Sequence, residues 1–381
     1  MKKKKRTETK KETPKSRERR TTLSPEEFIL INELRDTGVI PDEYLIRSDI
    51  SFTKLKDRST ETKRRYESLL QEIQEKDETI EHLLALKEGG TGKKPDLSKM
   101  KKSKGTVGNA TAVMVASDWH IEEQVDPSTV NGKNEYNLSI AEERAANFFR
   151  KGVFLTDLVR NGIRIDNLIL AFLGDLISGY IHEELQEDNY LSPTEASLFV
   201  QDIICSGIDY LIKEGNFKQI VIPCCIGNHG RTTQKKRIAT AYKNSYEWMM
   251  YKTLEKIYRN NEKVHFIVEN GYHTYVNLYG KYNLRFHHGD AMRYGGGVGG
   301  ITIPVNKAIA QWNKTEEAYL DVFGHFHQQM MDAGPYVCNG SLIGWNAFAV
   351  AIKAGYDDPK QSFFVIDQEK GKICDWPIFV K

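Results

Sequence analysis

Beyond residue 110, five short apolar runs each end in a cluster of polar residues. The clusters are Asp118-Trp119-His120, Gly174-Asp175, Gly227-Asn228-His229, His287-His288-Gly289-Asp290 and Gly324-His325-Phe326-His327. Imidazole and carboxylate together suit manganese, iron or zinc. In a D-x-H or H-x-H unit on an extended chain, both side chains point to the same side and can reach one metal or two adjacent metals. The glycines beside these residues let backbone and substrate approach closely. A lone histidine at a strand end is usually a hydrogen-bonded structural residue. Five clusters in series are not explained that way, because buried polar groups are costly unless they are paired. The chemistry indicated is that of a metal centre.

The elements that position these residues are legible from the apolar pattern. Residues 112–116, 168–173 and 220–226 are continuous apolar runs, and 284–286 and 320–323 are apolar but for Arg285 and Asp321; all predict buried strands. The periodicity of residues 139–160 predicts a helix. Ser192-Pro193-Thr194-Glu195 is a capping box that opens a second helix toward Leu211. Residues 241–258 give a third. Further strands are expected at 263–268, 272–279, 282–288, 336–342, 363–367 and 373–380. The order is β-α-β-α-β and then mostly β, which predicts two sheets packed face to face with helices outside. In α/β sheets the C-terminal strand ends face the site, where the five clusters fall.

The clusters, in this order, resemble the calcineurin-like metallophosphoesterase family, whose pattern is D-x-H, G-D, G-N-H-[D/E], H and G-H-x-H. The likeness covers roughly residues 110–345. It implies a four-layer αββα sandwich and two divalent metal ions, Mn²⁺ foremost, with Fe, Zn or Ni as alternatives. By position it implies Asp118, His120 and His327 on the first metal and Asn228, His288 and His325 on the second, with Asp175 bridging. His229 would touch the substrate phosphate and stabilise or protonate the leaving oxygen. Two cations about 3.5–4 Å apart acidify a water held between them, so that hydroxide attacks phosphorus in line.

The sequence departs from the pattern at Gly230, where the family carries Asp or Glu to orient the histidine. Arg231 follows and is a candidate phosphate ligand. Of His287 and His288, the one directly before glycine is expected to be the ligand. His182 and Arg293 are further candidates for substrate contact. The run Gly295-Gly296-Gly297-Val298-Gly299-Gly300 lacks the Lys-Ser/Thr ending of a P-loop and reads as a loop near the site. A similar loop occurs in phosphoesterases encoded by bacteriophages, a narrower likeness.

The chain before residue 109 differs in character. Residues 1–20 hold eleven Lys or Arg against three Glu, a net of about +8, which leaves about −6 for the remainder of a chain whose total is +2. A tail of this composition is expected to be disordered through residue 22 and to attract phosphate backbones. Residues 23–57 predict a small helical region compatible with a helix-turn-helix. Tyr66, Leu69, Ile73, Lys76, Ile80 and Leu83 recur at alternating steps of three and four, so residues 58–88 predict a long helix that can self-associate as a coiled coil. Residues 89–108 have linker composition, rich in glycine and lysine. Residues 109–381 form the expected catalytic domain.

No stretch reaches the roughly 18 apolar residues of a membrane span. The lysine-rich start lacks the apolar core of a secretory signal. The five cysteines, Cys205, Cys224, Cys225, Cys338 and Cys374, include no CxxC pair. A cytoplasmic setting is expected, the host cytoplasm for a phage protein. The expected partner is nucleic acid, DNA in particular, and the expected activity is that of a nuclease or nucleic-acid phosphodiesterase, as in the SbcCD nuclease subunit. Hydrolysis of small nucleotides or phosphoproteins is the runner-up, and a non-catalytic scaffold ranks third.

Overall fold

The computed structural model describes residues 108–294, 300–331 and 334–381, together with Glu26, Ile29, Leu30, Arg65 and Ser68. The chain divides into two compact units, Met1–Ala85 and Leu86–Lys381. In the first unit the five described residues are helical and exposed. The helix-turn-helix, the coiled-coil seam and the linker lie outside the described residues, as do residues 295–299 of the glycine-rich run.

Among its described residues the second unit carries ten strands: β1 (Asn109–Ala116), β2 (Arg164–Phe172), β3 (Gln219–Cys224), β4 (Val264–Val268), β5 (Thr274–Leu278), β6 (Tyr282–Phe286), β7 (Leu320–Phe323), β8 (Tyr336–Cys338), β9 (Lys360–Asp367) and β10 (Gly371–Phe379). Its helices are α1 (Leu138–Arg160), α2 (Glu184–Asp188), α3 (Pro193–Glu214), α4 (Tyr246–Tyr258), α5 (Thr302–Trp312) and α6 (Ala347–Ala351). The first sheet has the order β10-β9-β1-β2-β3-β4, and the second has β5-β6-β7-β8. Strands β1 to β4 pair in parallel, as do β6 to β8. Strand β9 runs antiparallel to β1, and β5 antiparallel to β6.

Side-chain alternation along the strands creates the layers. Ala112, Met114 and Ala116 of β1 and Leu168, Leu170 and Phe172 of β2 face a core shared with α1, α3 and α4. Val113 and Val115, with Ile169 and Ala171, face the opposite way and meet Leu284, Phe286, Leu320 and Val322 of the second sheet. A third core joins Val305 and Ile309 of α5 to Phe323, Tyr336 and Cys338 on the outer face of that sheet. The result is the four-layer αββα sandwich.

The helix starts follow their caps. Asn137 accepts from the Ile140 amide at the head of α1 (3.0 Å). Ser192 and Glu195 form the expected reciprocal box at α3, with Pro193 in the first turn. Helix α4 begins at Tyr246, later than expected, because Ser245 is its cap. Helix α5 stands where the sequence reading expected mostly strands. Its apolar residues Ile301, Val305 and Ile309 fall at a spacing of four, and Pro304 lies in the first turn, where a missing N–H costs nothing.

Candidate metal centre

Each polar cluster begins where its strand stops. Past β1 and β2 the two chains stay zipped by backbone bonds: the Asp118 amide donates to Gly174 (3.0 Å), His120 to Asp175 (3.1 Å) and Ile121 to Leu176 (3.1 Å). In the second sheet the Gly324 amide donates to the His288 carbonyl (2.8 Å). The turns at these strand ends are tight. Asp118, His120, Asp175, His325 and His327 all have left-handed backbone, with φ of 55°, 45°, 51°, 71° and 54°. Such conformations cost non-glycine residues roughly 1–3 kcal/mol each and collect at functional sites. Gly174, at φ 84°, is required outright, since a Cβ there would stand 2.2 Å from the Gly227 nitrogen.

The side chains converge in three groups whose donor atoms lie within 4.8 Å of one another: Asp118, His120 and His327; Asp175, His288 and His325; and His120, Asp175 and His229. Asn228 completes the second group, with Oδ1 3.1 Å from His288 Nε2. All seven expected ligands are therefore brought together, and Asp175 belongs to two groups. The first group joins Asp118 and His120 at the end of the first sheet to His327 of the second. The next joins Asp175 and Asn228 to His288 and His325. Both groups bridge the sheets.

The donor set fits cations. His288 Nδ1 lies 2.7 Å from the Leu173 carbonyl, an acceptor, so Nδ1 carries a proton. In the neutral ring Nε2 is then a lone pair. It faces Asp175 Oδ2 at 2.9 Å and Asn228 Oδ1 at 3.1 Å, two further acceptors. Three converging acceptors need a proton or a metal between them. Burial opposes charge on His288, but the carboxylates of Asp175 and Asp118 outweigh it and raise its pKa to about 10. At the other group, His327 Nε2 lies 3.3 Å from His120 Nε2 and 3.4 Å from Asp118 Oδ1. Burial also opposes charge on His327, but Asp118 pulls its pKa upward.

The ligands are held from behind. Ser117 Oγ donates to Asp118 Oδ2 (2.5 Å) and accepts from Asn339 (2.9 Å), whose own oxygen accepts from the Ser362 amide (2.7 Å). Ser178 Oγ lies 2.8 Å from His120 Nδ1 and donates to Glu123 (3.0 Å). The Ser178 carbonyl lies 3.0 Å from His229 Nδ1. His229 is thus fixed in the tautomer that leaves Nε2 open, and its amide donates to Asp175 Oδ1 (2.7 Å).

A buried carboxylate from another element lies beside Gly230. Glu247, fully buried in the first turn of α4, accepts from the amides of Leu176 and Gly227 (both 2.7 Å). Each amide adjoins a ligand, Asp175 or Asn228. A Cβ on Gly230 would lie 2.7 Å from Glu247 Cγ, so the glycine makes room for this side chain. Burial and the nearby Asp175 push the Glu247 pKa to about 8, against the two amide bonds. Sequence spacing gave no sign of Ser178, Glu123 or Glu247. The one signal available was the bare Gly230.

The remaining candidates are placed differently. His182 is exposed, with its ring 6.0 Å from that of His229. Arg231 is engaged with its own loop, donating to the carbonyls of Asn228 (2.6 Å), Thr233 (3.0 Å) and Gln234 (3.2 Å). Arg293 is exposed on the segment after His288. His287 points away from the site and stacks on Phe323 and Tyr272, with ring centroids 5.2 and 5.7 Å apart.

No protein-family model and no curated protein matches this sequence. Solved structures similar to it include Vps29 of Chaetomium thermophilum, at 11% identity and TM-score 0.26, covering 70% of this chain and 96% of that one. A dimetal phosphatase from Danio rerio matches at 10% identity and TM-score 0.31, over 71% of this chain and 99% of the other. The sulfate thiohydrolase SoxB of Thermus thermophilus matches at 8% identity and TM-score 0.30, over 73% of this chain and 58% of its own. Likenesses this distant do not bear on activity. Among the described residues no helix is long and apolar enough to cross a membrane.

Proposed function

We propose that this chain is a binuclear-metal phosphoesterase that hydrolyses phosphodiester bonds in nucleic acid. The observation that carries the reading is Asp175, whose carboxylate lies with His120 of the first group on one side and with His288 and His325 on the other. Asp118, His120 and His327 would hold one divalent ion, and Asn228, His288 and His325 the other. The imidazole-rich set suits Mn²⁺, with Fe, Zn and Ni as alternatives. When bound, such a pair supplies an acidified water and offsets charge on the phosphoryl oxygens.

The chain's own residues do the rest. His229 presents Nε2 because Ser178 holds Nδ1, and in its protonated form it can donate to the leaving oxygen. His182, with its ring 6.0 Å from that of His229, is a candidate for contact with the substrate. The basic tail and the lysines of residues 93–104 favour a polyanionic substrate. Kinship with phage phosphoesterases and the SbcCD nuclease subunit rests on motif order and the glycine-rich run. Cytoplasmic location and self-association through residues 58–88 belong to the same reading.

The test is cleavage of single- and double-stranded DNA and of bis-(p-nitrophenyl) phosphate with Mn²⁺, comparing wild type with Asp175→Ala and His229→Ala. Asp175→Ala should abolish turnover of every substrate. His229→Ala should retain metal and lose about 10²–10⁴-fold in kcat, the usual contribution of a positioned acid. Hydrolysis of the small diester without DNA cleavage would keep the metal chemistry and remove the nucleic-acid substrate. No turnover of either would remove both.

A further inference from the structure

From Arg231 to Tyr246 the sequence holds five cations, Arg231, Lys235, Lys236, Arg237 and Lys243, and no Asp or Glu. Residues 21–381 as a whole carry a net charge of about −6, so this is a local concentration of positive charge. The segment leaves the site directly after His229 and returns to it at Glu247. Its base is closed by the Thr232 amide on Asn244 (2.9 Å) and the Tyr246 amide on Gly230 (2.9 Å). Every residue from Gln234 to Thr240 is exposed, and Ile238 is 89% exposed.

Two of the five cations fix the loop. Arg231 ties its first residues to the carbonyl of the ligand Asn228. Lys236 pairs with Asp290, two residues beyond the ligand His288. Asp290 in turn lies in a turn held by Tyr272, whose hydroxyl accepts from the amides of Gly289 (3.2 Å) and Ala291 (3.0 Å). The loop is therefore anchored to two of the strand ends that supply the second group of ligands, those carrying Asn228 and His288. Lys235, Arg237 and Lys243 remain, exposed and without an ion-pair partner among the described residues.

We infer that residues 232–244 form the surface that grips a nucleic-acid strand beside the metal centre, with Lys235, Arg237 and Lys243 on consecutive phosphates. The inference rests on the nucleic-acid reading above and assigns it a place. Exposed lysines and arginines hold a phosphate chain by releasing counterions, one per contact, which fixes the signature to look for. A small phosphodiester has no neighbouring phosphates and would not reach them. The exposed Ile238 between the cations offers an apolar contact to sugar or base, which nucleic acid provides and a simple polyphosphate does not.

The experiment compares full-length wild type with Lys235→Gln/Arg237→Gln and with Lys235→Glu/Arg237→Glu. Three readouts are taken with Mn²⁺: hydrolysis of bis-(p-nitrophenyl) phosphate, cleavage of DNA, and DNA affinity over a KCl series. The glutamine pair should leave the small diester unchanged and raise the KM for DNA about tenfold or more. It should reduce the slope of log affinity against log salt by about 2, one per lost phosphate contact. The glutamate pair should exceed it on DNA alone. DNA cleavage with an unaltered KM and salt slope in both variants would overturn the loop assignment and leave the nucleic-acid reading standing. A wild type that turns over the small diester and neither cuts nor binds DNA would overturn both. An equal loss on both substrates would show damage to the metal site and also overturn the assignment.

Discussion

Ser178 supports two roles through different atoms. Its hydroxyl lies between His120 Nδ1 and Glu123, while its carbonyl holds His229 Nδ1. Ser178→Ala removes only the first. Partners behind metal-binding histidines are worth about 10–100-fold in metal affinity. Calorimetric titration of Ser178→Ala with Mn²⁺ should show a loss of that order, while kcat at saturating metal stays near wild type because the carbonyl remains. A collapse of kcat at saturating Mn²⁺ would contradict the division. The convergence of the seven candidate ligands was legible in the sequence because each follows an apolar strand in a fixed order. Ser178 was not. A backbone carbonyl leaves no trace in residue type, and a serine three residues past Asp175 resembles any loop serine.

Helix α4 delivers a carboxylate that local sequence could not reveal. Glu247 satisfies the amides of Leu176 and Gly227, and thereby positions Asp175 and Asn228, the ligands beside them. It lies seventeen residues beyond Gly230, across the basic loop, so only the fold brings them together. Glu247→Ala should cost about 1–3 kcal/mol for each buried amide left unpaired. Gly230→Asp alone should cost about 1–3 kcal/mol through overpacking against Glu247 Cγ. If one carboxylate can stand in for the other, the double variant Gly230→Asp/Glu247→Ala is more stable, and binds Mn²⁺ more tightly, than the sum of the single losses allows. Strict additivity in urea denaturation would reject that exchange. Helix α5 is the contrasting case. Its spacing-of-four pattern was present in the sequence, but the glycine run before it reads as a loop and obscures it.

At the scale of the molecule, both metal groups take ligands from both sheets. Asp118, His120, Asp175 and Asn228 come from the ends of β1, β2 and β3, while His288, His325 and His327 come from β6 and β7. The apolar core between the sheets closes the sandwich along its length. At the site end the contact is between acceptor atoms that need a proton or a metal between them, and a proton joins fewer of them than a cation does. The metal-free protein should therefore be weakest there, and divalent ions should act as staples between the sheets. A ligand at a thousand times its Kd adds about 4 kcal/mol to stability. For the catalytic domain, residues 109–381, that corresponds to a rise in Tm of roughly 7 °C. Thermal unfolding should show this rise on adding Mn²⁺ and its reversal by EDTA, with the response largely lost in Asp175→Ala. Hydrogen exchange locates the effect. Chelation should accelerate exchange at the ends of β6 and β7 around Gly289 and Gly324, and leave β10, at the far edge of the first sheet, unchanged. Uniform acceleration across both sheets would mean that the ions stabilise the domain as a whole rather than pinning the sheets together at one end.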